Sequence, residues 1–218
     1  MPAKTSQTGK KEVKNMTVNE MKKFSAHMDK YFEQKIYRVI PPIFNIKRHI
    51  DVLLYEPTEK YPFWKLVTMG ASGYTMPKIP NTISRNNEYI MFVDEKEDLN
   101  DKILMFWYYK KLIMIAAYPE GTKTHITYAH SLEWENDSPD DEMVGAFIEF
   151  PQVIKDAGIV RCKLSMFKTV ACLQVVLLTR EELDMRERIG NRAFSDFLYP
   201  EDSEIRHFLS ETHRSKNF

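Results

Sequence analysis

Cysteine is almost absent from this chain of 218 residues, which contains only Cys162 and Cys172. Two cysteines without a Cys-x-x-Cys spacing exclude a disulfide framework, so both are expected to be reduced, buried thiols. Glycine is scarce as well, with seven residues. Two of these, Gly70 and Gly73, lie close together, and the backbone around them is therefore expected to turn sharply.

Long apolar runs and an excess of charge are also missing. No stretch of about 18 apolar residues is present, and the polar, basic residues 1–14 precede no apolar segment of the secretory type, so we expect neither a membrane span nor a signal peptide. The expected location is the cytoplasm. Because 31 basic residues balance 31 acidic ones, neither nucleic acid nor a membrane is an expected partner, and any binding driven by charge has to be local.

The chain does contain enough apolar material for a sizeable core, 43% of its residues. No internal repeat, low-complexity tract or shift in composition divides it. We expect one α+β domain over residues 17–208, a disordered N-terminal tail over residues 1–16 and a C-terminal tail over residues 209–218.

Helices are predicted from capping residues and apolar periodicity. Thr17 and Thr179 are each followed three positions later by glutamate, the capping-box spacing that marks a helix start. A rhythm of about 3.6 residues predicts a central helix over residues 101–117, with Lys102, Lys110 and Lys111 on its outer side. The sequence at 119–121, Pro-Glu-Gly, is expected to end that helix. The predicted helices span residues 17–34, 101–117 and 179–200.

Strands are predicted where short runs rich in β-branched, aromatic and other apolar residues lie between turn residues. The first two strands are expected to pair antiparallel through a short turn at residues 59–62. Residues 145–154 fit either a strand or a short helix. The predicted strands span residues 49–55, 61–69, 89–93, 124–132, 160–167 and 170–178.

No convincing catalytic constellation is present in the sequence. The chain lacks Gly-x-Gly-x-x-Gly, a Walker-type Gly-Lys-Ser/Thr and Gly-x-Ser-x-Gly. Ser72 in the glycine loop, paired with His49 or His130, would make the chain a hydrolase or transferase, and this alternative stays open. The neighbouring His49 and Asp51 are interpreted as a hydrogen-bonded surface pair.

Metal and cofactor sites are not expected either. His125 and His130 are five positions apart on a predicted strand and so point to opposite faces, which argues against a shared metal. The acidic segment at residues 133–142 lacks the ligand pattern and the glycine of a calcium loop. It is interpreted as a solvated, flexible loop, with contact to a basic partner as the alternative.

Several motifs resemble those of the Suppressor of fused family, in its bacterial-type single-domain form. The resemblance covers about residues 40–200, and it is carried by Ile50-Asp51-Val52, Glu56-Pro57-Thr58, Phe63-Trp64-Lys65-Leu66-Val67-Thr68-Met69-Gly70-Ala71-Ser72, Met76-Pro77, Arg85-Asn86-Asn87-Glu88-Tyr89, Trp107 and Gln174-Val175-Val176-Leu177-Leu178. The sequence departs from the family pattern at Lys65, where threonine is usual, and at Met76-Pro77, where the order is reversed. The resemblance implies a mixed, mostly antiparallel sheet packed with several helices.

The resemblance also implies a non-enzymatic protein-binding domain. Eukaryotic members sequester zinc-finger transcription factors of the Hedgehog pathway by clamping an extended peptide as an added strand, and bacterial members neutralise a polymorphic toxin. We therefore expect an immunity-type protein that binds a cognate toxin, with a structural or assembly domain as a further alternative. No cofactor is expected, and the oligomeric state stays open.

The segment after the second strand is the predicted partner-binding loop. Aromatic and methionine side chains on an exposed loop are typical binding residues. The alternative is structural, with the glycines permitting positive φ and the methionine filling the core. The predicted partner-binding residues are Thr68, Gly70, Ser72, Tyr74 and Met76.

Overall fold

The computed structural model describes residues 15–80, 82, 84–136, 138–200 and 206–213. Eight strands in this part of the chain form one mixed sheet. The strands are β1 (Arg38–Ile40), β2 (Asp51–Tyr55), β3 (Phe63–Met69), β4 (Asn87–Asp94), β5 (Ser131–Glu133), β6 (Gly145–Glu149), β7 (Arg161–Lys163) and β8 (Thr169–Leu178). The helices are α1 (Val18–Phe32), α2 (Lys102–Thr122) and α3 (Arg180–Leu198).

The sheet has the order β1-β2-β3-β4-β8-β6-β5, and β7 pairs with the first residues of β8. All pairs are antiparallel except β4 and β8, which run parallel with Ile90 opposite Gln174. The predicted antiparallel pairing of the strands at 49–55 and 61–69 is confirmed by the β2–β3 ladder, in which Leu53 faces Val67. The predicted α+β fold is confirmed as well.

Helices cover both faces of the sheet. Phe24 of α1 and Phe194 of α3 belong to one hydrophobic core, whereas Leu112 of α2 belongs to a second core on the opposite face. Strand β3 supplies both cores, because alternate side chains such as Phe63 and Trp64 point to opposite faces. A strand buried on both faces has few polar positions, which explains why all residues of β3 except Lys65 and Thr68 are apolar.

Both predicted capping boxes are present. The Thr17 hydroxyl accepts from the Glu20 amide while the Glu20 carboxylate accepts from the Thr17 amide, and Thr179 and Glu182 repeat the arrangement. Helix α3 is kinked at Gly190, whose φ of 80° and ψ of 167° are not helical. These caps explain why the helix starts were visible in the sequence, since both partners of a capping box lie within one turn.

The predicted end of the central helix is wrong, because α2 continues through Pro119 to Thr122. Proline removes one amide donor, but its φ is compatible with a helix. The last turn is held by Glu120, which forms an ion pair with the buried Arg48, and the helix ends where Lys123 takes φ 60°.

Two predicted strands are shorter than expected. Of residues 124–132 only 131–132 lie in a strand, β5, because Ala129 takes a left-handed φ of 65° that breaks an extended chain. Residues 160–167 contain only β7, which follows a 3-10 turn at Ala157–Val160. Of the segment 145–154, which fitted two structures, residues 145–149 form the strand β6. Strand β1 was not predicted.

The two ends of the domain reach further into the core than the predicted boundaries. Met16 is buried against the α1 and α3 core, and residues 1–14 of the predicted tail lie outside the described residues. Leu209 and Ser210, which were assigned to a C-terminal tail, are buried, and the Ser210 amide donates to the carbonyl of Phe92 over 2.8 Å. None of the helices in the described ranges is long and apolar enough to span a bilayer.

Candidate functional site

The glycine loop turns inward where β3 ends. Gly70 has φ 130°, a conformation that side chains other than glycine rarely adopt. A Cβ atom at this position would lie 2.3 Å from the carbonyl oxygen of His49. Residues Ala71–Gly73 then form a single 3-10 turn, so the chain reverses within four residues.

Glu88 of β4 is the centre around which this loop folds. Its fully buried carboxylate accepts hydrogen bonds from the amides of Gly70 at 2.9 Å, Ala71 at 3.2 Å and Ser72 at 2.9 Å. The Thr68 hydroxyl donates to the same carboxylate over 2.7 Å. One carboxylate therefore takes up the backbone donors that the sharp turn leaves without strand partners.

Burial raises the pKa of Glu88, while the hydrogen bonds from Thr68, Ser72 and Gly70 act in the opposite direction. The Ser72 hydroxyl is buried near this carboxylate and has no hydrogen-bond partner among the described residues. The arrangement is a structural brace, because three successive amides of the turn are directed at Glu88 and away from solvent.

This geometry corrects the expected exposure of the predicted partner-binding loop. Thr68, Gly70 and Ser72 are buried around Glu88, and Met76 is buried with its sulfur 3.4 Å from the amide of Ile126. Only Tyr74 is partly exposed. Thr68, Gly70 and Ser72 lie inside because the donors of the turn satisfy an internal carboxylate, which the sequence pattern of the loop does not reveal. The role of the five residues in partner binding stays a prediction.

The Ser72 and histidine pair required for a hydrolase or transferase is not assembled. The Ser72 side chain is fully buried, and its hydroxyl makes no hydrogen bond to a histidine among the residues that the structure describes. His49 instead contacts Asp51 over 2.9 Å, so the predicted hydrogen-bonded pair is present, although Asp51 is buried and only His49 lies at the surface. His130 is half-buried, and burial lowers its pKa.

Metal-ligating side chains are not assembled into a site in the part of the chain that the structure describes. The described ranges contain no group of three or more His, Cys, Asp or Glu side chains arranged to hold a metal ion. His125 is held by the carbonyl of Pro77 and the hydroxyl of Thr82. Cys162 and Cys172 are free and buried, as predicted.

A cleft of about 640 Å³ lies between α2 and the segment after β5. We call it the tryptophan cleft, because Trp107 of α2 and Trp134 after β5 contribute its two largest side chains. Ile103 and Met114 of α2 add exposed apolar surface. The tryptophan cleft is thus an accessible, mainly apolar surface, unlike the glycine loop.

Lys111 holds the two walls of the tryptophan cleft together. Its ammonium group is 2.7 Å from the Asp141 carboxylate and 2.9 Å from the side-chain oxygen of Asn136. It also lies 5.3 Å from the ring centre of Trp107 and 5.0 Å from that of Trp134. A buried cation shared by a helix and a loop fixes both indoles in one orientation.

Lys111 and Asp141 correct two further predictions. Lys111 was placed on the outer side of the helix but is only 6% exposed. The acidic segment was interpreted as a flexible loop, yet Asp141 pairs with Lys111 and accepts a hydrogen bond from the Trp107 indole at 3.3 Å. Both errors arise because periodicity locates charge on a helix face without showing which loop covers that face.

The rim of the tryptophan cleft is acidic. Exposed Asp101, Glu135 and Asp140 line it, against the basic Lys110 and His213. The Lys111 and Asp141 charges cancel as a pair. The cleft therefore offers apolar walls inside a rim with an excess of carboxylates.

A sheet edge lies next to this cleft. Strand β5 is the last strand on its side of the sheet and pairs with β6, and Trp134 follows β5 directly in the chain. A terminal strand can accept an extended peptide through backbone hydrogen bonds. The tryptophan cleft beside β5 was not predicted from the sequence. Its only signal there was the four-residue spacing of Trp107 and Lys111, together with Trp134 in the acidic segment.

These features define a class of protein: an α+β domain in which a mixed sheet is covered by helices on both faces and an apolar cleft lies beside a terminal strand. A family model described as Suppressor of fused protein (SUFU) matches residues 47–207. The chain therefore belongs to the Suppressor of fused family, as its motifs indicated. A comparison with curated protein sequences gave no match.

Three solved structures are similar to this chain. A chain of the crystal structure of the Sufu–Fu complex is 14% identical with a TM-score of 0.65, and the match covers 90% of this chain and 91% of that chain. Drosophila Suppressor of Fused is 16% identical with a TM-score of 0.60, over 83% of this chain and 46% of that chain. A structure described as a SUFU homologue of Neisseria gonorrhoeae FA 1090 is 10% identical with a TM-score of 0.59, over 91% and 97% of the two chains. At these identities the likeness shows the fold.

Proposed function

We propose that this chain is a bacterial-type, single-domain member of its family that acts in the cytoplasm and binds a protein partner in the tryptophan cleft. The finer proposal is that the partner is a cognate toxin, whose functional surface the bound chain covers. One observation carries the proposal: two indole rings flank one buried ammonium group, within an acidic rim and beside a terminal strand.

The chemistry of the tryptophan cleft suits a protein partner. Tryptophans in desolvated pockets are common binding hot spots, and charges at the rim mainly set specificity and the association rate. Carboxylates at Asp101, Glu135 and Asp140 favour a basic segment, with apolar side chains that enter between Trp107 and Met114. The terminal strand β5 can bind the backbone of that segment.

The family supports the general role. A relative with the same fold has been crystallised in a complex named Sufu–Fu, so protein binding is a property of that relative. For this chain the toxin is a proposal that rests on the family resemblance and on the absence of an assembled catalytic constellation among the described residues.

The experiment compares the wild-type chain with a variant of the cleft. Both are used to capture partners from a lysate of the source organism, and proteins retained by the wild type but not by Ile103→Ser/Met114→Ser are identified and purified. Ile103 and Met114 are 82% and 37% exposed, so these changes leave the core intact. Calorimetry with the purified partner is expected to show a loss of about 2 kcal/mol or more in binding free energy.

Tyr74→Ala is the matched control, because Tyr74 is the one of the five predicted partner-binding residues that is not buried. Under our proposal the Tyr74→Ala variant binds the captured partner with the same dissociation constant as the wild type. A loss of about 1–3 kcal/mol for Tyr74→Ala, with no loss for the cleft variant, would move the site to the glycine loop.

The toxin proposal has its own test. The captured protein is expressed alone and together with this chain, and growth is expected to stop in the first case and to recover in the second. Growth that is equal in both cases contradicts neutralisation. Light scattering of the isolated chain tests the alternative of an assembly domain, for which a monodisperse monomer is the contradicting result.

A further inference from the structure

The turn between β7 and β8 presents two apolar side chains to solvent. Phe167 is 93% exposed and Met166 is 78% exposed, which makes them, with Ile103, the most exposed large apolar residues in the described ranges. We call residues 164–168 the hairpin tip. Two adjacent side chains of this kind on a convex turn cannot be explained by packing within the domain.

The hairpin tip is held firmly at its base. The amides of Leu164 and Ser165 both donate to the carbonyl of Lys168, at 2.9 Å and 3.2 Å, which closes the turn. Leu164 is buried, and its carbonyl accepts a hydrogen bond from the Lys23 ammonium at 2.8 Å. The two exposed side chains are therefore presented by an ordered turn that is tied to α1.

Positive charge surrounds this apolar pair. Residues 157–179 contain Arg161, Lys163 and Lys168 and no acidic residue. Lys168 pairs with Glu20 over 3.0 Å, which places the start of α1 beside the hairpin tip. The Lys168 charge is thus paired, while Arg161 and Lys163 are exposed. A neutral chain therefore has an apolar tip beside two exposed cations of the same hairpin.

We propose that the hairpin tip docks on an anionic phospholipid surface. Phe167 and Met166 enter the headgroup layer, while Lys163 and the basic residues around them bind lipid phosphates. Amphipathic residues at a membrane surface follow this division, and basic clusters beside an apolar insertion bind anionic leaflets at low cost in desolvation. This surface is independent of the proposed partner site, because α1 and α2 cover opposite faces of the sheet.

Two features favour a membrane over a protein pocket as the occupant. The hairpin tip is convex and carries only two apolar side chains, which is less surface than a stable protein interface buries. Its flanking charges are all positive within the hairpin, which matches the uniform negative surface of an anionic leaflet.

The test is co-sedimentation of the full chain with vesicles of phosphatidylcholine alone and of phosphatidylcholine mixed with phosphatidylglycerol. Wild type is expected to bind only the mixed vesicles, and more weakly as salt is raised. Phe167→Ser is expected to reduce the partition coefficient by about tenfold or more, because it removes the largest inserted side chain. Ile43→Ser is the control, because Ile43 is exposed on the α2 side and outside both proposed surfaces, and this variant should bind vesicles like the wild type.

A second readout reports directly on the hairpin tip. Both native cysteines are buried, so a Met166→Cys variant can be labelled selectively with a fluorophore that responds to polarity. A blue shift on mixed vesicles, absent for a labelled Ile103→Cys variant, supports insertion. The proposal is overturned if the wild type fails to bind mixed vesicles or binds pure phosphatidylcholine vesicles equally well. It is also overturned if Phe167→Ser binds mixed vesicles as well as the wild type does. Loss of the captured protein partner by Phe167→Ser, without vesicle binding, would assign the tip to a protein interface instead.

Discussion

The amide of Ser72 donates a hydrogen bond to the carboxylate of Glu88 over 2.9 Å, and this contact joins the turn after β3 to the neighbouring strand β4. The glycine, tyrosine and methionine residues of this loop are typical of a recognition segment, but the turn is directed into the core. Its glycine at position 70 permits the close approach of the backbone to a buried carboxylate.

The first prediction concerns the Glu88 carboxylate. Glu88→Gln replaces one acceptor oxygen with an NH₂ group that faces backbone donors, so some of the amides of the turn lose their partner. We expect the free energy of unfolding to fall by about 1–3 kcal/mol, measured by urea denaturation. Glu95→Gln, in an exposed turn, is the control and should leave the midpoint unchanged. Equal midpoints for the two variants would show that Glu88 does not brace the turn.

The second prediction concerns Gly70. Gly70→Ala places a Cβ atom 2.3 Å from the carbonyl of His49 at a residue with φ 130°, so both the backbone and its neighbour must move. We expect a loss of at least about 2 kcal/mol in the free energy of unfolding. Gly121→Ala is the matched control, because nothing lies within 4 Å of a Cβ atom there and the residue is helical. That variant is expected to gain about 0.5–1 kcal/mol, and a loss as large as that of Gly70→Ala would contradict the steric explanation.

The third prediction concerns the ion pair that holds the last turn of α2. Arg48 and Glu120 are 3.2 Å apart, and their side chains are 5% and 16% exposed. Removal of one partner leaves the other charge in a poorly solvated place, so Arg48→Met is expected to cost about 3 kcal/mol. The double variant Arg48→Met/Glu120→Gln should recover part of that loss in a double-mutant cycle.

An exposed pair provides the comparison for this cycle. Lys60 and Glu33 form a contact in which both side chains are more than half exposed. Lys60→Met is expected to leave the free energy of unfolding close to that of the wild type. If the Arg48 and Lys60 variants were equally stable, burial would not determine how much an ion pair contributes to the free energy of unfolding.

The fourth prediction concerns pH. Burial lowers the pKa of His27, and the neighbouring Lys30 adds to this effect, while the hydrogen-bond contact with the carbonyl of Ile159 opposes it. The unfolded chain binds a proton near the ordinary pKa of about 6.5, whereas the folded chain binds it only at lower pH. Stability from this group is therefore present above about pH 6.5 and is lost as the pH falls through the window below it.

The measurement is the free energy of unfolding of the wild type and of His27→Gln between about pH 8 and about pH 5, a range that brackets the titration of histidine. Glutamine keeps a donor for the Ile159 carbonyl but does not titrate there. The variant is expected to lose less stability on acidification than the wild type. Parallel curves would show that His27 does not contribute to the pH dependence.

Local features of this fold were predictable because their causes lie within a few residues. Thr17 with Glu20 and Thr179 with Glu182 form capping boxes inside one helical turn, and the glycine at position 70 ends β3 where expected. The family motifs led to the correct fold for the same reason, since they mark the β2–β3 pair. Thr124–Leu132 was misjudged because a single left-handed residue, Ala129, interrupts an otherwise strand-like sequence.

The candidate site could not be predicted in the same way. Thr68 and Lys111 are both polar residues that a pattern assigns to solvent, yet Thr68 donates to Glu88 and Lys111 lies between two indoles. Glu88 is 20 positions from Thr68 and Asn136 is 25 positions from Lys111, so neither spacing nor periodicity records these two contacts.

By itself the sequence determined the helix starts, the β2–β3 pair, the sharp turn at Gly70 and the family to which the chain belongs. Only the tertiary structure decided which polar groups face inward and which apolar ones remain outside. The physical reason is that a buried carboxylate or ammonium becomes tolerable when its partners converge from separate elements. Glu88 of β4 meets that condition beside the turn after β3, and the exposed surfaces that we propose for binding are the tryptophan cleft and the hairpin tip.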